Sequence, residues 1–359
     1  MMYYLRQFSR LLFFSILYWS FIFCLFIFIR FVAYGEEENY HYDKIASIET
    51  ILKWLPYGIV FGILIGVLYA VIEFLFEKLL SKKLFLGIVL IFKSIIYFIG
   101  LVFSTSYIVR LIELQMNIDL PNGRLWWFYN DVFWVVTVYF VVASFMFLFI
   151  RIANDKFGRG VLINMLIGKY RNPREEERLF MFIDLKSSTT LAEKLGHYKY
   201  SKLLQDCFFD LNKILDRYDA EIYQYVGDEA VISWKYNKGI KNNQCINLYF
   251  DFRKIIDRRS KYYLKHYDAK PFFKAGAHGG KLIVTEVGTL KKELAYHGDV
   301  INTTSRIQDS CTKYDKAFLI SDKVLNDLKL KSIYKSKEIG DILLRGKQDR
   351  LKVHTIIKG

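Results

Sequence analysis

Residues Leu179–Leu191 read LFMFIDLKSSTTL, and Ala220–Trp234 read AEIYQYVGDEAVISW. The first segment opens with an apolar run of strand length, Leu179–Leu185, that reaches the carboxylate Asp184 at its end. Ser187, Ser188, Thr189 and Thr190 follow, and hydroxyl residues before an apolar periodic stretch suit the start of a helix near Leu191. The second segment turns tightly at Val226-Gly227-Asp228-Glu229 between two strands, Ala220–Tyr225 and Ala230–Trp234. If these strands are neighbours in one sheet, Asp184 and Asp228 converge on one edge. Two carboxylates so placed repel unless cations lie between them, and hard oxygen ligands suit Mg2+ or Mn2+ arriving with substrate phosphates. Two such ions about 3.5–4 Å apart clamp an in-line displacement at phosphorus. The Lys186–Thr190 loop offers backbone N–H groups at a helix start as a seat for phosphate oxygens.

Working outward, Tyr200–Tyr218 and Asn243–Tyr267 have helical patterns, and Phe272–His278 and Lys281–Glu286 read as strands joined by a glycine-rich turn. A helix opens near Asp299, and short strands and a helix fill the remainder. Helices interleaved with strands in this order predict an α+β or α/β sandwich.

Ahead of this half lie four apolar stretches, Leu11–Ala33, Pro56–Leu79, Leu84–Val109 and Phe128–Ile152. Each is about the length that crosses a hydrocarbon core of ~30 Å. The first follows Arg6 and Arg10 but is too long for a signal peptide and lacks a small-residue cleavage site, so it is expected to be retained. Lys78, Lys82 and Lys83 lie between the second and third stretches, and Arg151, Lys156 and Arg159 follow the fourth, whereas Glu36, Glu37, Glu38 and Asp43 lie between the first and second. That alternation predicts a multi-pass protein of the inner (plasma) membrane, with the N-terminus and the C-terminal half cytoplasmic. Glu73 and Lys93 fall within consecutive antiparallel stretches, where they could pair. Their bland reading is a structural partnership, and the sharper one is ion conduction or sensing.

Composition agrees with a divided chain. The 359 residues are 53% hydrophobic and 18% aromatic, yet carry a net charge of +15, values that a membrane half joined to a charged half reconciles. No zinc-finger, helix-turn-helix or RNP pattern supports nucleic acid as a partner. Cys24, Cys207, Cys245 and Cys311 are scattered singly and read as free thiols. The organisation expected is a transmembrane domain over residues 1–153, a linker over 154–178 and a catalytic domain over 179–359.

Phe182-Ile183-Asp184-Leu185 with Ser188-Thr189-Thr190-Leu191, and Val226-Gly227-Asp228-Glu229, resemble the two metal-binding segments of class III adenylate/guanylate cyclases. Gly276-Ala277-His278-Gly279-Gly280 is similar to the family's glycine-bearing strand. Gly298-Asp299-Val300-Ile301-Asn302-Thr303-Thr304-Ser305-Arg306 resembles the segment that supplies its transition-state residues, and Leu344-Arg345-Gly346-Lys347 its phosphate-contacting strand. The resemblance implies an α-helical membrane domain of four helices joined to an α+β cyclase domain with a ferredoxin-like, palm-like sheet. It further implies two Mg2+ or Mn2+ ions per site, held by Asp184 and Asp228 with the Leu185 carbonyl. Ser187, Ser188 and Thr189 would contact phosphate, Asn302 would orient the ribose, and Arg306 would stabilise charge on the pentacovalent phosphorus. Arg345 and Lys347 would neutralise the terminal phosphates. The family builds its site between two catalytic domains, so this chain is expected to form a homodimer on the lipid bilayer and to turn ATP into cyclic AMP.

The base-reading positions depart from the pattern. They hold Gln224 and Ala295 where adenylate cyclases usually have Lys and Asp or Thr/Ser, and guanylate cyclases Glu at the first. Gln224 can donate and accept, so GTP or mixed-purine use stays open. Tyr296 and His297 stand beside Ala295, and His278 and His297 read as structural. Two other classes remain: a diguanylate cyclase, which the Asn302/Arg306 pair argues against, and a membrane receptor whose cyclase-like domain only binds nucleotide.

Overall fold

The computed structural model describes residues 2–34, 48–79, 86–116, 125–157, 161–289, 292–343 and 350–359. The chain divides into two compact units, Met1–Ile152 and Ala153–Gly359.

In the first unit, α1 (Met2–Tyr34), α2 (Ile48–Leu79) and α3 (Leu86–Met116) are followed by a short α4 (Trp126–Tyr129) and by α5 (Asp131–Phe157). Four of these helices are long and apolar enough to cross a membrane, over Gln7–Val32, Ile51–Phe76, Ile91–Gln115 and Asp131–Asn154. The start of the fourth apolar stretch belongs to α4. Asn130 separates the two helices, and its Oδ1 accepts from the Phe133 amide at 3.0 Å as an N-cap of α5. Helices α1 and α2 pack at backbone distance along Gly58, Gly62 and Gly66. A Cβ on Gly62 would lie 2.3 Å from Ser20 Cα, and one on Gly66 would lie 2.8 Å from Ile16 Cα. This is the small-residue seam by which helices associate in lipid. Glu73, 9% exposed, accepts from Lys93 Nζ at 2.8 Å, Tyr97 Oη at 3.0 Å and Arg151 at 3.0 Å. The pairing expected of Glu73 and Lys93 is present, and Arg151 joins it from α5.

The second unit opens with α6 (Val161–Leu166), then β1 (Arg174–Leu185), α7 (Ser188–Leu215), β2 (Glu221–Val226) and β3 (Glu229–Lys235). Next come α8 (Tyr236–Ile240), α9 (Gln244–Arg258), α10 (Ser260–Tyr267), β4 (Phe273–Val287), β5 (Glu293–His297) and α11 (Asp299–Lys313). β6 (Phe318–Ser321), α12 (Asp322–Asp327), β7 (Tyr334–Leu343) and β8 (Arg350–Lys358) complete it. The described strands form one sheet in the order β2-β3-β1-β4-β6-β8-β7, with β5 beside β4. Only the β4–β6 pairing is parallel. The β4-β1-β3-β2 portion is the ferredoxin-like arrangement that the sequence predicts, inside an α+β domain.

Apart from Asp184, the second half of β1 is apolar because both its faces are covered. Leu179, Met181, Ile183 and Leu185 enter the core formed with α7, α9 and α10, whereas Phe180 and Phe182 enter a smaller cluster with Val231, Val284 and Val300. Three local expectations need correction. β1 starts at Arg174, so the charged segment before Leu179 is already strand, paired with Val284 and its neighbours on β4. The two helical patterns after Ser187 are one helix kinked at Gly196, where φ is 70°. The glycine-rich turn expected between two strands is the interior of β4. Gly279 sits there because a Cβ would come within 2.5 Å of the Tyr236 ring, so the glycine marks close packing rather than chain reversal. All four cysteines are free thiols.

Candidate active site

Asp184 stands one residue from the end of β1, directly opposite Glu229 of β3 and Lys274 of β4. Asp228 occupies the two-residue turn after Gly227, whose φ of 60° a side chain would strain. The antiparallel β1–β3 register therefore brings this turn to the end of β1. Burial, then the adjacent Asp228 carboxylate, push Asp184 up to about 6. Burial also raises Glu229 to about 7, with Asp184, Asp309 and Asp228 adding to it. Asp228 Oδ2 is buried, and among the described residues no donor reaches it.

A buried acceptor left bare in a half-buried carboxylate pair is costly unless a cation or donor reaches it. Donor set and environment thus fit a hard divalent ion. Among the described residues no group of three His, Cys, Asp or Glu side chains encloses such an ion. The carboxylates offer a partial ligand set, as Mg2+ commonly uses when phosphates and water supply the rest.

Ser187 precedes α7 with φ 58°, and its side chain makes no cap bond. The amides of Ser188–Thr190 lie in the first turn, where a helix has no internal acceptors to offer them. The Lys186 amide is engaged by the Phe272 carbonyl at 2.8 Å, so it is withdrawn from the phosphate seat expected of this loop.

Asn302 and Arg306 share one face of α11, four residues apart. Val300, Thr303, Thr304, Ile307, Gln308 and Cys311 form its buried stripe, whereas Asn302 is exposed and Arg306 half-buried. The first pair therefore points away from the sheet that carries Asp184. Gln224 is exposed on β2, and Ala295 lies on β5 opposite Thr285. Tyr296 is engaged elsewhere: its ring packs 4.8 Å from Tyr223 and 5.5 Å from Phe180, beneath the Arg178 guanidinium. His278 bonds Ser321 at 2.8 Å. Arg345 and Lys347 lie outside the described residues.

Two side chains at this edge have no counterpart in the sequence-based expectations. Gln308 Nε2 donates to Asp184 Oδ2 at 3.3 Å, and Lys274, 5% exposed, donates to Thr312 Oγ1 at 3.1 Å. A polar residue recurring on the apolar stripe of α11 was the available signal for Gln308.

Residues 171–358 match the family described as adenylate and guanylate cyclase catalytic domain. The chain is 33% identical over 224 residues to adenylate cyclase 2 of Rhizobium meliloti (strain 1021), 62% of each protein. It is 23% identical over 136 residues to guanylyl cyclase C of Homo sapiens, 38% of this chain and 13% of that protein. It thus spans less than two thirds of the length of these curated relatives. A solved bacterial light-regulated adenylyl cyclase superposes with a TM-score of 0.52 at 17% identity, covering 62% of this chain and 64% of that one, a likeness of fold. The family match takes in over half of the chain and runs through β1, the Gly227-Asp228 turn and α11; the chain belongs to the adenylate and guanylate cyclase catalytic-domain family.

Proposed function

We propose that this chain is a membrane-anchored nucleotidyl cyclase that converts ATP to 3′,5′-cyclic AMP and pyrophosphate. The observation that carries this reading is the meeting of Asp184 and Asp228 at the sheet edge, with Asp228 Oδ2 buried and lacking a partner. Asp184, Asp228 and the Leu185 carbonyl are the residues to hold two Mg2+ or Mn2+ ions, which when bound with nucleotide acidify the ribose 3′-hydroxyl and neutralise the departing pyrophosphate. The 3′-oxygen forms a bond to the α-phosphorus as the bond to pyrophosphate breaks, and the hydroxyl proton leaves to solvent.

Asn302 orients the ribose. Arg306 offers a planar, permanently charged group to the phosphoryl oxygens as charge builds on them. The first-turn amides at Ser188 and Thr189, beside Ser187, receive phosphate oxygens, and Arg345 and Lys347 neutralise the terminal phosphates. The outward face shared by Asn302 and Arg306 supports a homodimer in which each chain completes its partner's site. Four apolar helices of spanning length support anchorage in the inner membrane with the catalytic unit cytoplasmic.

The absence of Glu at position 224 and the similarity to a protein named adenylate cyclase 2 support ATP as substrate. The exposed Gln224 amide, paired with an Ala295 side chain that makes no hydrogen bond, favours GTP or mixed-purine use as the second reading. Detergent-solubilised full-length protein given ATP or GTP separately, with Mg2+ or Mn2+, tests both by mass spectrometry of the product. Cyclic AMP from ATP is expected. Cyclic GMP alone would move the substrate to GTP, and no cyclic product from either nucleotide would refute cyclase activity.

A further inference from the structure

Gln308 is 4% exposed, and its amide reaches across 124 positions of sequence to Asp184. The contact depends on how closely α11 lies on β4. A Cβ on Gly276 would stand 2.4 Å from the Gln308 amide nitrogen and 2.7 Å from its Cα, so only glycine lets the helix backbone settle there. One turn further along, Thr312 accepts from Lys274, the direct cross-strand partner of Asp184. Two polar bonds thus register α11 against the carboxylate edge. A donor on one oxygen restrains rotation of the Asp184 carboxylate, which Asp228 would otherwise repel, and leaves the second oxygen to a cation.

We propose that Gln308 is a positioning residue of the metal centre: it holds Asp184 in the orientation that takes Mg2+ or Mn2+, and through α11 ties that centre to Asn302 and Arg306. The inference rests on the cyclase reading above. Groups that orient metal ligands from behind commonly change metal affinity 10–100-fold when removed. A bond of 3.3 Å is at the long end of its kind, so the expected loss is about tenfold.

The test is Mn2+ uptake by the full-length protein in detergent. The probe is Mn2+ with 3′-deoxy-ATP, which lacks the attacking hydroxyl, and the readout is the electron paramagnetic resonance signal of unbound Mn2+. Gln308→Met keeps the volume and removes the donor; it is expected to weaken Mn2+ binding about tenfold and to raise by the same factor the Mn2+ needed for half-maximal turnover. Should Gln308→Met not fold, Gln308→Asn withdraws the same donor by one methylene and is expected to show the same loss. Cys311→Ala, which loosens the buried face of α11 without touching Asp184, is expected to bind Mn2+ as wild type does. Unchanged Mn2+ affinity in the Gln308 variant, or an equal loss in Cys311→Ala, would overturn the positioning role while leaving cyclase activity standing. Wild-type protein that takes up no Mn2+ with the nucleotide would overturn both.

Discussion

Asn302 and Arg306 stand on the face of α11 turned away from their own sheet, so Asp184 and Arg306 of one chain are expected to serve different sites. Co-expression of an Asp184→Ala chain with an Arg306→Ala chain separates the possibilities. In a mixed dimer one site collects both lesions, and the other combines an intact Asp184 with an intact Arg306. Removing a donor that stabilises developing charge costs about 10²–10³ in rate, so a lesioned site is silent on this scale. Tandem purification through two affinity tags isolates the mixed dimers, and these should run at about half the wild-type rate, because two-fold symmetry provides two equivalent sites of which one survives. The mirror arrangement sharpens the test. A chain carrying both substitutions, paired with a wild-type chain, places one lesion in each shared site and should be inactive. Sites contained within single chains require the reverse, with no activity in the first pairing and about half in the second. Cyclic nucleotide production by the two purified mixed dimers is the assay, and that reversed pattern would refute the shared site.

The remaining predictions concern charge. In metal-free protein, Asp184 has a folded value of about 6 against an ordinary 3.8, so its contribution to stability is complete below about pH 4 and is lost as pH rises through about 6. Two pKa units correspond to about 3 kcal/mol, which solvent screening at this half-exposed carboxyl reduces to about 1. Burial is the larger cause of that shift and the Asp228 charge the smaller, so Asp228→Asn should raise the metal-free melting temperature of the catalytic unit by less than about 2 °C at pH 7 and only partly flatten its fall between pH 4 and 6 in EDTA, while abolishing turnover. Glu73→Gln removes the carboxylate shared by Lys93 and Arg151 and should cost about 3 kcal/mol, measured by titrating the solubilised protein with sodium dodecyl sulfate; an unchanged midpoint would show that the ion cluster is not structural.

The parts of the fold and site written in local sequence were legible from it. An apolar run of strand length ending on Asp184 and a Gly-Asp turn 44 residues on are each readable from local sequence, although their meeting at one edge depends on the β1–β3 pairing, and four apolar stretches announce themselves by length alone. Glycines were less transparent. Gly279 and Gly280 resemble a turn until the Tyr236 ring and Val300 are found occupying the space their side chains would need. The Gly58, Gly62 and Gly66 spacing was present in the sequence, but its meaning depends on which helix lies against it. Arg151 looked like a flanking topological charge, and only the packing of α5 brings it to Glu73. The contact from Gln308 to Asp184 was the hardest to foresee, because it requires the helix, the strand and the glycine between them all at once.

That contact bears on why one helix carries residues for two purposes. The inner face of α11 is bonded to the metal edge of its own chain through Gln308, and its outer face presents Asn302 and Arg306. If the outer face completes a partner's site, nucleotide and metal bind the paired state more tightly than the single chain. Linkage then requires the reverse with equal strength: pairing must tighten metal and nucleotide binding by the same factor. Were the four apolar helices to anchor the chain, anchoring would contribute to that exchange even without any signal, since chains confined to one bilayer meet at a higher effective concentration than chains free in solution. If the site is shared between two chains, a change in how the helices of the first unit pack, at the glycine seam or at Glu73, would reach it through the pairing equilibrium.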